Sequence, residues 1–413
     1  MQTSGIQTDY DVVIVGAGLT GAAMALALRD SGLRLALVDA QPIKNDLSIN
    51  STSSDFDARV SAITPASRKL FESLGVWEAM QQQRVSPYTH MHVREADGTG
   101  SIDFCAADVH AAALGYIVEN RISVAAMHQH LISQPNLTCL MPTTIEALRC
   151  EDHSVEISLA EHPALTARLL IAADGAQSPV RKLAGFVTRE WDYEHEAIVC
   201  SVKTEQPHDQ CARQIFMNDG VLAFLPLRSA DDDANGHWCS IVWSVQPARA
   251  NALMGLPEDV FRETLGYASE HWLGKITDSS RRFAFPLRQR HARDYFKDRV
   301  VLIGDAAHSI HPLAGQGANL GLSDVSVLAQ ELRRAQVAGR DPADPLVLAR
   351  YQRQRKPNNL AMMLMMEGFK RLYADQPLPL RWLRNVGMKT VDSWPALKHQ
   401  LIREAMGTHL KLD

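Results

Sequence analysis

Residues 10–39 read YDVVIVGAGLTGAAMALALRDSGLRLALVD. Tyr10 to Val15 is an unbroken, β-branched-rich run, the composition of a strand buried on both faces. The small-residue stretch that follows reads as a helix ending near Gly32, and the next apolar run reads as a second buried strand ending in Asp39. Gly16, Gly18 and Gly21 stand in G-x-G-x-x-G register at the strand-to-helix turn. In that register the first glycine makes the tight turn, the second lets the backbone approach a pyrophosphate, and the third lets helix and strand pack closely. The pyrophosphate then sits at the positive end of the helix. Asp39 lies 18 residues beyond Gly21, where a carboxylate accepts hydrogen bonds from ribose hydroxyls and repels a 2′-phosphate. The unit therefore predicts a site for FAD or NAD rather than NADP.

Two further motifs follow buried-strand patterns. ARLLIAADGA at 167–176 runs into Asp174-Gly175-Ala176-Gln177-Ser178-Pro179-Val180-Arg181, a D-G turn that taken alone is only a turn. DRVVLIGDAAH at 298–308 places Gly304 and Asp305 at the end of an apolar run and continues into Pro312, Gly315, Gln316, Gly317, Asn319 and Gly321. An aspartate at the end of a buried strand has no apolar role, and a glycine-rich loop opening a helix is an anion-binding arrangement. Between these motifs, short Val-, Ile-, Phe- and Trp-rich stretches around 197–204, 212–227 and 237–245 alternate with turn-forming segments and predict an antiparallel sheet. Leu322, Val325, Leu328 and Leu332 recur with helical period and predict one buried helix face.

Composition bounds the function classes. The 413 residues suffice for two or three domains, and 46% hydrophobic residues can fill a large core. A net charge of −5 gives no broad basic footprint, which argues against a nucleic-acid partner. The first basic residue is Arg29, so no secretory signal is read, and the longest uncharged run is glycine-interrupted and short for a membrane span. Six scattered cysteines without C-x-x-C spacing predict a reducing, cytoplasmic setting and no metal site. The charge is uneven: residues 351–413 carry a net +6 and the remainder −11. In that tail Met362, Met365, Met366, Phe369, Leu372 and Tyr373 predict one helical stripe, with Lys370 and Arg371 beside it. The stripe packs on its own protein or meets an anionic membrane or a partner protein.

The three motifs together, G-x-G-x-x-G, D-G-A-x-S-x-x-R and G-D-A-A-H…P-x-x-G-Q-G-x-N, resemble those of the FAD-dependent aromatic hydroxylases of the para-hydroxybenzoate hydroxylase fold. The string GDAAHSIHPLAGQGANLGLSD is similar to the branch that hydroxylates the ring of ubiquinone precursors, and WDYEHEAIVCSVKTEQPHD, GVLAFLPL, CSIVWS and QLIREAMG resemble its polyprenylphenol hydroxylases. The likeness runs from about residue 10 to 408. It implies an α/β (α+β) fold: a discontinuous, Rossmann-like FAD-binding domain over 1–75, 105–180 and 286–350, an inserted antiparallel-sheet substrate domain over 76–104 and 181–285, and C-terminal helices over 351–413.

The resemblance also implies an NAD(P)H- and O2-dependent monooxygenase that forms a flavin hydroperoxide and hydroxylates a prenylated phenol. A sister hydroxylase of the same pathway acting on a later methoxylated intermediate, or another FAD oxidoreductase of this fold, is the alternative. Gly16, Gly18, Gly21 and Asp39 would hold the ADP half of FAD. Arg59 would lie near flavin and pyrophosphate, and Asp174 and Gly175 would face the pyrophosphate with Arg181 bracing their loop. Gly304 and Asp305 would meet the ribityl chain, and Gly315, Gln316, Gly317 and Asn319 the pyrimidine edge of the isoalloxazine. His308 and His311 flank the flavin loop; Pro312 holds His311 out of helical geometry, making His311 and Pro312 the candidate catalytic pair. Phe224, Leu225, Pro226, Trp243, Phe285 and Leu313 are candidates for the ring or prenyl pocket. Expected partners are the prenylated phenol and a ubiquinone-biosynthesis assembly or the inner-membrane surface, met through the basic tail, with a homo-oligomer as a further expectation.

Overall fold

In the computed structural model, residues 8–44, 55–96, 100–229, 236–309, 316–373 and 394–407 are described. The opening βαβ unit forms as its sequence predicts: β1 (Tyr10–Val15), α1 (Leu19–Ala27) and β2 (Leu35–Val38). β1 pairs in parallel with β2 on one side and with β11 (His162–Ala172) on the other. The sheet extends past β2 to β8 (Leu137–Leu140) and past β11 to β19 (Val300–Leu302) and the edge strand β18 (Phe296–Lys297). β10 (Val155–Leu159) joins β11 antiparallel and carries β9 (Ile145–Cys150) with it. α1, α4 (Asn120–Leu131) and α8 (Gln316–Val337) belong to this layer, whose core includes Ile14, Met24, Leu37 and Ile171. The predicted α8 face is buried throughout, at Leu322, Val325, Leu328 and Leu332.

A second sheet of nine strands accounts for the loosely patterned middle of the chain. Its order is β20 (His308–Ser309), β17 (Phe283–Ala292), β12 (Thr188–Thr204), β15 (Trp238–Val245), β14 (Gly220–Leu227), β13 (Cys211–Met217), β5 (His90–Glu95) and β6 (Ser101–Cys105), with β16 (Ile276–Ser279) also on β12. All pairings are antiparallel except the parallel β13–β5 pair. α6 (Pro247–Met254) and α7 (Glu258–Ala268) cover one face, where Trp243 and Phe224 are buried with Phe261 and Leu265. A small third sheet, in the order β3 (Val60–Ile63), β7 (Gly115–Glu119), β4 (Ser86–Tyr88), is antiparallel. α2 (Pro65–Leu74) follows β3 directly, capped by the Thr64 hydroxyl and opened by Pro65 at its first turn, and leads into the short α3 (Trp77–Gln81). α5 (Pro179–Leu183) precedes β12, and α9 (Pro345–Tyr373) and α10 (Pro395–Ala405) lie toward the C-terminus.

The chain passes from the first sheet to the second at residues 302–308, between β19 and β20, and a buried polar cluster fixes this passage. The Asp324 carboxylate on α8 accepts from Gly304 N (3.0 Å), His308 Nε2 (2.6 Å), Arg355 Nε (2.8 Å) and Asn359 Nδ2 (3.3 Å). Tyr351, Arg355 and Asn359 succeed one another at four-residue spacing along α9, and the Tyr351 hydroxyl donates to Leu302 O at 2.8 Å. This stripe continues to Met363, which is buried, whereas Met362 is half-buried and Met365 is exposed. The inward face of α9 is thus set by the partners of Asp324 rather than by the predicted methionine row. The side chains of Met366, Phe369, Lys370, Arg371, Leu372 and Tyr373 lie outside the described residues.

Burial alone would raise the Asp324 carboxyl, but His308 and Arg355 overcome it and hold it at about 2. In Asp324→Asn, the fully buried Arg355 loses its counter-charge, and such losses cost about 3–5 kcal/mol. Denaturant unfolding should show a stability decrease of that order. The unfolded carboxylate protonates near 3.8 and the folded one near 2, so this contribution is complete above pH 4 and is lost as pH falls toward 2. The variant should lack that component of the acid transition.

Candidate functional site

The loop between β1 and α1 is closed from three sides. Gly16 adopts φ +102°, and a Cβ there would lie 2.4 Å from Ala173 O; a Cβ on Gly21 would lie 1.7 Å from Gly16 O. Neither position admits a side chain. Gly18 differs, because a Cβ built on it meets nothing within 4 Å. The Asp39 carboxylate, at the end of β2, accepts from Ala17 N at 2.6 Å and from Gln41 N at 2.7 Å. It therefore braces the glycine loop while remaining half-buried, with lone pairs to offer. His128 on α4 supports the same loop from below: its Nδ1 accepts from Lys44 N at 2.9 Å, which leaves Nε2–H to donate to Ala17 O at 2.7 Å. Burial lowers the pKa of this imidazole, in keeping with that neutral tautomer. Nothing in the sequence marked His128, since a histidine within a helix carries no local signal of a contact 111 residues away.

The second and third motifs meet through two arginines. Arg181, buried, donates to Ala306 O at 2.9 Å and to Ala176 O at 2.7 Å, so one guanidinium ties the D-G-A turn to the G-D-A-A-H turn. Arg290 reaches the same Ala176 carbonyl and pairs with Glu190. Gly175, at φ +80°, has open space where a Cβ would stand. Asp174 accepts from Val180 N at 3.0 Å through one oxygen, and its buried Oδ1 has no hydrogen-bond partner among the described residues. Burial raises its pKa.

Asp305 is accessible to solvent, yet surrounding protein raises its carboxyl pKa against the pull of His308 and Arg59. Arg59 approaches from the start of β3, with its guanidinium 5.3 Å from the ring centre of Phe285. The structure thus gathers Arg59, Asp305 and Phe285.

At the first turn of α8, Asn319 is buried with both ends of its amide occupied: Nδ2 donates to Ala62 O at 2.7 Å, and Oδ1 accepts from Thr64 N at 3.0 Å. Its side chain thus holds β3 in place. His308 is fully buried against Asp324, and its Nδ1 has no partner among the described residues. It stands as a structural histidine. His311, Pro312, Leu313 and Gly315 lie outside the described residues, as does the side chain of Gln316; Gly317 is in the first turn of α8.

An apolar cavity of about 180 Å³ lies on the face of the second sheet opposite α6 and α7. Strand alternation decides which candidates reach it. Leu225 lines it, together with Val221, Ala223, Val242 and Ser244. Phe224 and Trp243 point to the other face, where the Trp243 ring packs 6.5 Å from Phe261, and Pro226 shares their strand parity. These three do not line the cavity. Phe285 stands near its rim against Val242. The far wall comes from Val60 and Ala62 of β3, Ile117 of β7 and Tyr88 of β4, and α10 closes one end with Leu401, Ile402, Ala405 and Met406. Among the described residues no group of three His, Cys, Asp or Glu side chains could hold a metal ion, and no helix is long and apolar enough to cross a membrane.

Residues 9–365 match the FAD binding domain family. The chain is 36% identical over 398 residues to the 3-demethoxyubiquinol 3-hydroxylase of Escherichia coli K12, covering 96% of this chain and 98% of that protein. It is 35% identical to the ubiquinone hydroxylase UbiL of Rhodospirillum rubrum, covering 97% and 90%. It is 31% identical to the human mitochondrial ubiquinone biosynthesis monooxygenase COQ6, covering 97% and 93%. Among solved structures, p-nitrophenol 4-monooxygenase PnpA of Pseudomonas putida shares the fold with a TM-score of 0.75 at 19% identity, covering 97% of this chain and 99% of that one. With its glycine loop, D-G-A turn and G-D-A-A-H turn joined to one another, the chain belongs to the FAD-dependent ubiquinone-biosynthesis hydroxylases.

Proposed function

We propose that the protein hydroxylates the aromatic ring of a polyprenylphenol in ubiquinone biosynthesis, with FAD as cofactor, NAD(P)H as reductant and O2 as the source of the inserted oxygen. The observation that carries the reading is the apolar cavity beside β3, the strand that Asn319 fastens to the first turn of α8. A greasy ring seated there would be next to the elements proposed for the flavin.

The residues present fit FAD. Gly18 and Gly175 leave open space at two backbone turns, and Asp174 keeps a buried oxygen without a hydrogen-bond partner among the described residues. When bound, FAD supplies the two-electron redox chemistry and the reaction with O2. The chain's own part is to bind, orient and exclude water. The N-terminus of α1 would receive the pyrophosphate and Asp39 the ribose hydroxyls. Asp305 would accept from the sugar-alcohol chain, and Arg59 would offset phosphate charge nearby. The first turn of α8 presents backbone N–H groups at a positive helix end, which stabilises negative charge on a reduced ring system. No described side chain is proposed as a proton shuttle, because His308 is tied to Asp324.

A second reading has its own support: the Escherichia coli relative is named for a demethoxylated quinol, so a later methoxylated intermediate is the competing substrate. The basic region 351–413 is the proposed contact with a membrane surface or a biosynthetic assembly. Within it, on α9, Leu360, Leu364 and Met365 are exposed.

Incubation of the FAD-loaded protein with NAD(P)H, 18O2 and 2-prenylphenol should give a ring-hydroxylated product carrying one labelled oxygen. Peroxide release without product, or product from a methoxylated quinol alone, would overturn the polyprenylphenol reading. Gly18→Ala should leave the thermal midpoint of the flavin-free protein unchanged, because its Cβ meets no protein atom. The same change should weaken flavin retention, read from the absorbance of the purified protein, by about tenfold or more.

A further inference from the structure

The cavity wall carries several polar side chains, and the hydroxyl of Tyr88 is one of them. Tyr88, on the edge strand β4, packs its ring between two apolar clusters, one with Ile117 and Leu225 and one with Leu114 and Ile402, and lines the cavity. Its hydroxyl has no hydrogen-bond partner among the described residues. Its cross-strand neighbour on β7 is Gly115, and a Cβ there would lie 2.6 Å from the Tyr88 oxygen and 2.9 Å from Ile63 O. Glycine at 115 is thus what gives the phenol its seat.

The other polar side chains at the cavity are placed differently. The Arg213 guanidinium donates to the carbonyls of His208 (2.8 Å) and Cys211 (3.1 Å). Gln214 and Ser244 sit on the large sheet, on β13 and β15. Tyr88 shares a three-stranded sheet with Ala62, whose carbonyl Asn319 holds. Two strand spacings, about 10 Å, separate β4 from β3. Tyr88 thus belongs to the small sheet that Asn319 fastens to the first turn of α8.

We infer that Tyr88 is a specificity-determining residue that hydrogen-bonds the ring oxygen of a phenolic substrate, an inference that rests on the proposed substrate class. A cavity of about 150 Å³ takes up benzene, so a space of about 180 Å³ holds a substituted ring. A phenol buried in apolar surroundings needs a partner for its hydroxyl, since an unmade hydrogen bond there is costly. Burial pushes the Tyr88 hydroxyl up to about 12, so at neutral pH it is an uncharged group that both donates and accepts.

The test compares two probes, 2-prenylphenol and prenylbenzene, by their perturbation of the flavin spectrum of the FAD-loaded protein and of its Tyr88→Phe variant. The wild type should bind the phenol more tightly than the hydrocarbon. The variant should lose about tenfold in affinity for the phenol and none for the hydrocarbon, whose unchanged binding also reports an intact cavity. Equal loss for both probes would make Tyr88 a packing residue, and no loss for either would make it irrelevant; each result overturns the inference while leaving the substrate class standing. A wild type that does not prefer the phenol overturns the substrate class together with the inference.

Discussion

A carboxylate buried without water must be matched on every side, and Asp324 is matched by the groups that bring the three motifs into one place. It receives the backbone of Gly304, the ring of His308 and the side chains of Arg355 and Asn359. The first two stand where the chain leaves the parallel sheet and enters the antiparallel one; the last two anchor α9 across that passage. Arg181 joins the D-G-A turn to the same stretch through Ala306. The glycine loop meets it directly, for Thr20 of α1 packs against the positions where Gly304 and Gly321 would carry a Cβ. Loss of the charge at 324 would therefore loosen the junction of the three motifs as well as one helix.

Features set by local spacing were legible in the sequence. The βαβ unit, the antiparallel strands and the buried face of α8 all follow from periodicities of two or 3.6 residues, and the structure has each of them. What escaped depends on partners distant in sequence. A methionine row on α9 was a sound reading of apolar spacing, but the inward stripe is decided by Arg355 and Asn359 answering a charge on another helix. Parity was also misjudged: Leu225 reaches the cavity and its neighbour Phe224 does not, because strand residues alternate and the larger apolar side chain went to the core. The amide of Asn319 is also a strut between α8 and β3, a contact distant in sequence that its place in the glycine-rich loop does not show. Tyr88 and His128 had no local signature.

The electrostatics around the three motifs follow one pattern. Asp174 and Asp305 both have carboxyls raised by burial, and Asp174 retains an oxygen with no hydrogen-bond partner among the described residues. Next to them, Arg59, Arg181 and Arg290 bring positive charge from three different segments, two of them through bonds to carbonyl oxygens. Arg181 and Arg290 are thus spent on holding the turns together.

The alternation of β14 and β15 separates two kinds of demand on one sheet. Residues 221, 223, 225, 242 and 244 shape the cavity, while 222, 224, 241 and 243 fill the core under α6 and α7. A change in the first set alters what can be accommodated and leaves the core alone; a change in the second does the reverse. Substrate range in this architecture can therefore drift without eroding foldability. The trace of that drift among related proteins would be variation at every second residue along these two strands.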